Sequence, residues 1–229
     1  MEETSAAVRQ PFALMQLLRN GWFSIPVLLY WLTGILLKMQ LAHGEEILWL
    51  NEWRIEPFNT LFKHITQWGE WPPYILFGLL FARWNYRIML VIACTGLLTI
   101  PASIVLKRTF KQPRPTTYFE QNGTRDHLVT VPDTHIVSGL SSFPSGHTFA
   151  AFSLYALLTL AAYETHRSRR VGLLFAMAAI LTGFSRVFLA QHFLSDILAG
   201  SIAGIAWGAL CWQAGLYFRK FPRLQKGWQ

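Results

Sequence analysis

The sequence predicts an all-α polytopic membrane protein: a bundle of six transmembrane helices with short interfacial helices, formed by a single domain over residues 1–229. Apolar residues make up 52% of the chain and charged residues only 14%, whereas soluble domains carry about 25% charged residues. The mean hydropathy of +0.30 excludes a disordered chain. The net charge of +8 lies between long apolar runs, as in membrane proteins, so it indicates no nucleic-acid partner.

The six spans are predicted from the length of the apolar runs, because a spanning helix needs roughly 20 mostly apolar residues. The segments are 22–41, 71–84, 87–106, 147–163, 171–190 and 194–217. The second is the weakest, since it is short and opens with Pro72-Pro73. Its helix therefore begins earlier in the chain or lies obliquely.

The stretch between the first two spans predicts short helices in the plane of the membrane interface. Its apolar residues recur at helical spacing from Ile47 to Ile65 and are interrupted by Pro57. Four tryptophans fit an aromatic belt at this level: Trp49, Trp53, Trp68 and Trp71.

The orientation follows from the basic residues in the connections. Eleven, including Arg87, share the side of the N-terminus, the 2–3 and 4–5 connections and the C-terminus, and eight, including Arg54, lie on the other side. Three of those eight are assigned below to a site, which leaves eleven against five. The excess of positive charge predicts that both termini are cytoplasmic.

Charged and imidazole groups cluster at the ends of spans three to six. In an alternating bundle, the end of three, the start of four, the end of five and the start of six lie at one membrane face. This gathers three cations (Lys107, Arg114 and Arg186), two histidines (His147 and His192) and one carboxylate (Asp196). Ionisable groups at membrane depth are costly and mark function by default.

The residue types in this cluster suit a tetrahedral, dianionic phosphate. Arginine matches phosphate geometry, and Ser145-Gly146-His147 offers backbone N–H groups at a helix N-terminus. Asp196, one turn after His192, holds that imidazole in one tautomer and leaves its other nitrogen as a nucleophile. His147 is then available as an acid for the leaving group.

The motifs Lys107-x6-Arg114-Pro115, Pro144-Ser145-Gly146-His147 and Ser185-Arg186-x5-His192-x3-Asp196 resemble the three signatures of the type 2 phosphatidic acid phosphatase family, in order and at matching spacing. The resemblance implies a lipid phosphatase that needs no metal or other cofactor and works through a phosphohistidine. Carried over, His192 is the nucleophile, Asp196 its orienting partner and His147 the general acid. The implied phosphate ligands are Lys107, Arg114, Ser145, Gly146 and Arg186.

The expected substrate is a lipid phosphate or diphosphate in the bilayer of a bacterial inner membrane, with the site on the extracytoplasmic side. Candidates are undecaprenyl diphosphate, phosphatidylglycerol phosphate, phosphatidic acid and lipid A phosphates. We expect the long 115–143 loop to shape head-group selection. The oligomeric state stays open.

Two other functions remain open: a phosphotransferase that passes the phosphoryl group to a second lipid, and a non-catalytic lipid binder or transporter of the same fold. Considered alone, Lys107 is also compatible with a snorkelling residue at the membrane interface. His192 and Asp196 alone are also compatible with a hydrogen bond between helices. A loop metal cluster of Asp126, His127, Asp133 and His135 is a weaker alternative. Gly200, Gly204 and Gly208 predict close helix packing.

Overall fold

The computed structural model describes residues 12–228, and within them every regular element is helical. Residues 1–11 lie outside the described residues. The α-helices are α1 (Ala13–Arg19), α2 (Gly21–Gln40), α3 (Glu45–Leu48), α4 (Phe58–Thr66), α5 (Trp71–Ala82), α6 (Tyr86–Phe110), α7 (Pro115–Gln121), α8 (Gly146–Glu164), α9 (Val171–Phe188) and α10 (Leu194–Gly215). The predicted all-α class is confirmed.

Each of the six apolar segments forms a helix: α2, α5, α6, α8, α9 and α10. Within residues 12–228, four stretches are long and apolar enough to cross a membrane: Gly21–Gln40, Tyr86–Gln121, Val171–Phe188 and Leu194–Lys220. The 12 residues of α5 rise only about 18 Å, less than a bilayer core of about 30 Å. The count of six spans therefore stays a prediction.

Helix α8 is the centre of the bundle. Nearly every side chain from Thr148 to Ala162 is buried, on all faces of the helix. A helix that is apolar all round is shielded from water, either by other helices or by lipid. Helices α6, α9 and α10 pack around it, and they also carry Lys107, Arg186 and Asp196.

Glycines bring α10 against the backbone of α8, as their four-residue spacing predicts. A Cβ atom would lie 2.8 Å from the Ser145 carbonyl oxygen at Gly200, and 2.6 Å from the Phe149 carbonyl oxygen at Gly204. The same atom at Gly208 would lie 2.5 Å from the Ser153 carbonyl oxygen. The backbones approach this closely only because the glycines have no side chain.

The segment between α2 and α5 consists of short helices, as the sequence predicts. Helix α3 is followed by a 3₁₀ turn at Asn51–Trp53, and α4 by another at Gln67–Gly69. Pro57 stands directly before α4. The four tryptophans of the predicted aromatic belt are exposed, between 41% and 69%.

Two arginines that the sequence analysis counted as topological charges are buried. Arg87 is fully buried at the start of α6, where Glu164 binds both it, at 2.5 Å, and Arg219, at 2.6 Å. Arg54 donates hydrogen bonds to the carbonyl oxygens of Phe188, Val187 and Ile47. Both arginines hold helix ends together, so the topology rests on the remaining charges.

Candidate active site

The eight candidate residues lie together at one end of the bundle. Lys107 is near the end of α6, Arg114 precedes α7, and Ser145 precedes α8, which begins with Gly146 and His147. Arg186 is in the last turn of α9, His192 lies in the connection that follows, and Asp196 is in the first turn of α10. Lys107, Arg114 and Arg186 are near enough to act electrostatically on one another and on His192.

His192 and Asp196 form a buried pair. The Nδ1 atom of His192 lies 3.2 Å from Oδ2 of Asp196, and the two side chains are 1% and 3% exposed. The other ring nitrogen of His192, Nε2, has no hydrogen-bond partner among the described residues. Burial, together with the charges of Arg114, Arg186 and Lys107, lowers the pKa of His192 well below its usual range. Its Nε2 lone pair is therefore free at neutral pH.

Asp196 is fixed by two further donors and by its own backbone. The Ser142 hydroxyl donates to Oδ2 at 2.5 Å, and the Phe193 N–H donates to the same oxygen at 3.0 Å. The carbonyl oxygen of Asp196 accepts from the Ser145 N–H at 3.0 Å. The starts of α8 and α10 are thereby joined directly.

This bond changes the expected anion site at the start of α8. The sequence predicts backbone N–H groups from Ser145, Gly146 and His147, but the Ser145 N–H is already bonded to Asp196. The Ser145 hydroxyl oxygen accepts from Thr148, through its N–H at 3.4 Å and its hydroxyl at 2.9 Å. The N–H groups of Gly146 and His147 keep no partner among the described residues, so two backbone donors remain instead of three.

The three cations differ in how much of their hydrogen-bonding capacity is free. Arg114 bonds the Gln191 carbonyl oxygen at 3.1 Å and the Ser141 carbonyl and hydroxyl oxygens at 3.3 Å, so it also holds two loops together. Arg186 bonds Thr66 through Nη1 at 2.6 Å, and its buried Nε has no partner within residues 12–228. Lys107 has no hydrogen bond to any described residue. Arg186 and Lys107 thus retain donors for an anion.

The side chain of Lys107 lies close to Gly146, the first residue of α8. A Cβ atom there would lie 3.0 Å from the Ser103 hydroxyl oxygen and 3.4 Å from Nζ of Lys107. The lysine ammonium therefore lies directly over the start of α8, beside the two free N–H groups. A helix N-terminus with a cation over it is a strong anion site.

His147 has a partner that the sequence analysis did not identify. Its Nε2 lies 3.2 Å from Oε1 of Glu70, the residue before α5. The hydrogen bond to His147 lowers the pKa of Glu70, so this carboxyl group is ionised at neutral pH.

Other contributing residues also escaped the sequence analysis. Ser142 lies five residues before His147, and its place in the Ser141-Ser142-Phe143 run next to a motif is the only signal that points to it. Thr66 and Arg54 come from the interfacial segment and hold the end of α9 that carries Arg186. No local pattern predicts these long-range contacts.

An apolar groove of about 810 Å³ runs between α5 and α6 and ends at the site. Glu70, Lys107, Gly146 and His147 line its polar end. The rest of its wall is almost entirely apolar and includes exposed Ile75, Leu79, Leu97 and Ile100. The groove therefore connects the cluster of charges with the lipid-facing side of the bundle.

The loop alternative finds no support. Within residues 12–228, no group of three or more His, Cys, Asp or Glu side chains is arranged to hold a metal ion. Asp126 and His127 lie in a 3₁₀ turn at Arg125–His127. The loop contacts the site further on, through Gly139 and Ser141, which bond Arg114, and through Ser142, which bonds Asp196.

The model of the PAP2 superfamily matches residues 76–220, well over half of the chain. The chain belongs to the PAP2 superfamily. Among curated proteins, undecaprenyl-diphosphatase BcrC of Bacillus subtilis is 29% identical over 107 residues, which are 47% of this chain and 51% of BcrC. Phosphatidylglycerophosphatase B of Bacillus subtilis is 27% identical over 167 residues, 69% of this chain and 71% of the relative. The match thus spans about half the length of BcrC.

Two solved structures of PAP2 proteins have the same fold. Aquifex aeolicus LpxE superposes with a TM-score of 0.58 at 21% identity and covers 76% of this chain and 96% of its own. The transmembrane PAP2-type phosphatidylglycerolphosphate phosphatase of Bacillus subtilis superposes with a TM-score of 0.53 at 21% identity, over 88% of this chain and 98% of its own. At this level of identity the likeness concerns the fold alone. It confirms the membrane PAP2 architecture predicted from the three motifs.

Proposed function

We propose that this PAP2 protein is a membrane lipid phosphatase that transfers the phosphoryl group of a lipid phosphate or diphosphate to His192 and then to water. The carrying observation is the buried His192–Asp196 pair, which leaves Nε2 of His192 free beside three cations. A neutral imidazole that is hydrogen-bonded to a carboxylate can act as a nucleophile. The cations stabilise the negative charge of the phosphoryl group in the transition state.

The phosphate ligands differ in how many hydrogen-bond donors they have free. Lys107, Arg186 and the N–H groups of Gly146 and His147 bind the phosphate oxygens directly, because their donors are free. Arg114 contributes its charge and its remaining donors while it holds the neighbouring loops. The Ser145 hydroxyl proton completes the set, since that oxygen only accepts from Thr148.

The reaction has two displacements. In the first, the Nε2 lone pair of His192 attacks phosphorus, the bond from phosphorus to the lipid oxygen breaks, and protonated His147 gives that oxygen a proton. In the second, water attacks phosphorus and gives a proton to His147, and the P–N bond electrons return to His192. Inorganic phosphate leaves, and both histidines regain their starting states.

The groove between α5 and α6 supports a lipid as the substrate. A lipid tail fits along its apolar wall while the head group reaches Lys107 and His147 at the polar end. The names of the relatives favour undecaprenyl diphosphate and phosphatidylglycerol phosphate, with phosphatidic acid and lipid A phosphates as further candidates. We place the protein in a bacterial inner membrane, with both termini cytoplasmic and the site on the extracytoplasmic side.

A phosphate-release panel over these lipids in detergent tests the proposal. The wild type is expected to release phosphate from at least one of them, in the presence of EDTA, and His192→Ala to lose that release. His64→Ala is the matched control, because His64 is exposed on α4. Turnover that survives in His192→Ala excludes the proposed nucleophile, and turnover that returns after EDTA only with a divalent ion excludes the metal-free reaction. Phosphorylated acceptor lipid in place of free phosphate identifies a phosphotransferase.

A further inference from the structure

Glu70 occupies a helix-capping position without capping its helix. It is the N-cap of α5, and an acidic N-cap side chain normally accepts from the backbone N–H two or three residues later. Those residues are Pro72 and Pro73, which have no N–H. The carboxylate therefore has no local donor, and it makes no cap hydrogen bond. Its hydrogen bond goes to Nε2 of His147 at 3.2 Å.

The preceding glycine places Glu70 at this point. A Cβ atom at Gly69 would lie 2.6 Å from the carbonyl oxygen of His147 and 2.7 Å from Cγ2 of Thr182. Only glycine allows the turn before α5 to pack so closely on the start of α8. The sequence Gly69-Glu70-Trp71-Pro72-Pro73 thus delivers an unpartnered carboxylate to the candidate acid.

The charges around His147 give this carboxylate an electrostatic role. Burial of the ring disfavours a protonated imidazole at His147 most strongly, and the cationic side chains of Arg186 on α9 and Lys107 on α6 act in the same direction. Glu70 is anionic and opposes them. With Nε2 held by Glu70, Nδ1 is the ring nitrogen without a partner among the described residues.

We propose that Glu70 is a positioning residue that fixes the orientation of His147 and favours its protonated form, so that Nδ1 gives its proton to the leaving lipid oxygen. The inference rests on the proposed function. The Nε2 proton stays in the hydrogen bond with Glu70 throughout. After the lipid alcohol leaves, Nδ1 takes a proton from the attacking water, and the starting state is restored.

The test compares two leaving groups in the Glu70→Gln variant. The leaving group of phosphatidic acid is the alkoxide of diacylglycerol, which needs a proton. The leaving group of p-nitrophenyl phosphate is p-nitrophenolate, a stable anion that needs none. Turnover of phosphatidic acid is expected to fall roughly ten- to a hundredfold, and turnover of p-nitrophenyl phosphate less than about threefold. Glu52→Gln is the matched control, since Glu52 is an exposed glutamate in the 3₁₀ turn at Asn51–Trp53. It is expected to leave both rates unchanged.

A purely structural role lowers both rates of Glu70→Gln by the same factor, and that result overturns the inference, as does an unchanged rate on phosphatidic acid. Glu70→Asp, which keeps the charge but withdraws the carboxylate by one methylene, is expected to show a smaller loss with the same selectivity. If Glu70→Gln does not elute as a single folded species, Glu70→Asp replaces it in the comparison of the two esters. A wild type that releases phosphate from none of the lipids of the panel refutes the proposed function itself, whereas an active wild type with equal losses in the variant refutes only the role of Glu70.

Discussion

Helix α8, which carries His147, and helix α10, which follows His192, are in close contact at Gly204, and Gly204→Ala perturbs this contact with one methyl group. The added Cβ would lie 2.6 Å from the Phe149 carbonyl oxygen and 2.9 Å from Cβ of Phe152. The first distance is roughly 0.8 Å shorter than an ordinary van der Waals contact. Because both nearest atoms belong to backbone or Cβ positions, no rotamer change relieves the clash. Helix α10 must move away from α8.

The expected change in the free energy of unfolding of Gly204→Ala is the sum of two opposing effects. Overpacking a core by a methyl group destabilises by about 1–3 kcal/mol, while alanine in a helix is favoured over glycine by about 0.5–1 kcal/mol. The net loss is about 0.5–2 kcal/mol, and a chain of this size loses about 2–4 °C in melting temperature per kcal/mol. The same displacement separates His147 from His192, and a 1 Å misplacement at a reacting centre can lower turnover about a hundredfold.

Thermal melting in detergent, followed by tryptophan fluorescence, measures the stability effect. Gly78→Ala on α5 is the matched control, because a Cβ atom there meets nothing within 4 Å. The control is expected to melt at or slightly above the wild-type temperature, and Gly204→Ala a few degrees below it. If Gly204→Ala melts as high as the control, the close α8–α10 contact is not as described.

Three further substitutions test the site and the groove. Asp196→Asn removes the charge that orients His192, and its kcat is expected to fall by about 10³–10⁴ at an unchanged melting temperature; a loss below tenfold speaks against the pair. Ser142→Ala removes one of the hydrogen bonds to Asp196, worth about 1.5 kcal/mol, so kcat is expected to fall about tenfold, and an unaltered rate contradicts this role. Gly78→Leu places a larger side chain in the groove at a position where a Cβ atom meets nothing within 4 Å, so KM is expected to rise about tenfold for long-chain lipid phosphates and not for short-chain ones. Equal effects on both chain lengths argue against the groove as the tail site.

Alternation of the spans predicts which helix ends meet, and this part of the prediction depends only on chain order. Lys107 and Arg186 lie at the C-terminal ends of α6 and α9, and Asp196 lies at the N-terminal end of α10. The structure brings the three residues together because these helix ends are at the same end of the bundle. The roles assigned to them stay a prediction. The number of spans is less predictable, because α5 is too short to cross a bilayer by itself and α8 is enclosed by other helices.

Contacts made by loop residues across long sequence separations were not predictable. Glu70 and His147 are 77 residues apart, and Ser142 and Asp196 are 54 apart. No periodic pattern in the sequence predicts that the members of either pair are in contact. Arg54 was misinterpreted for a related reason: a lone arginine between apolar runs has the same appearance whether it faces water or is buried against the carbonyl groups that end α9.

The local signal for Glu70 is nevertheless present in the sequence. An acidic residue directly before a helix that starts Trp71-Pro72-Pro73 has no N–H group at the usual capping positions to accept from, so its carboxylate is left to water or to a distant donor. Applied to other chains, this pattern identifies carboxylates that are free to bind a remote partner.

The stereochemistry at phosphorus tests transfer through His192 most directly. A phosphorothioate monoester made chiral with oxygen isotopes is hydrolysed by the wild type in isotopically labelled water, and the configuration of the released thiophosphate is determined. Each in-line displacement inverts the phosphorus centre, so two successive displacements through a phosphohistidine give net retention. Retention in the wild type, with no turnover in His192→Ala, is the predicted result. Net inversion means that water attacks the lipid phosphate directly, and it contradicts a covalent intermediate on His192.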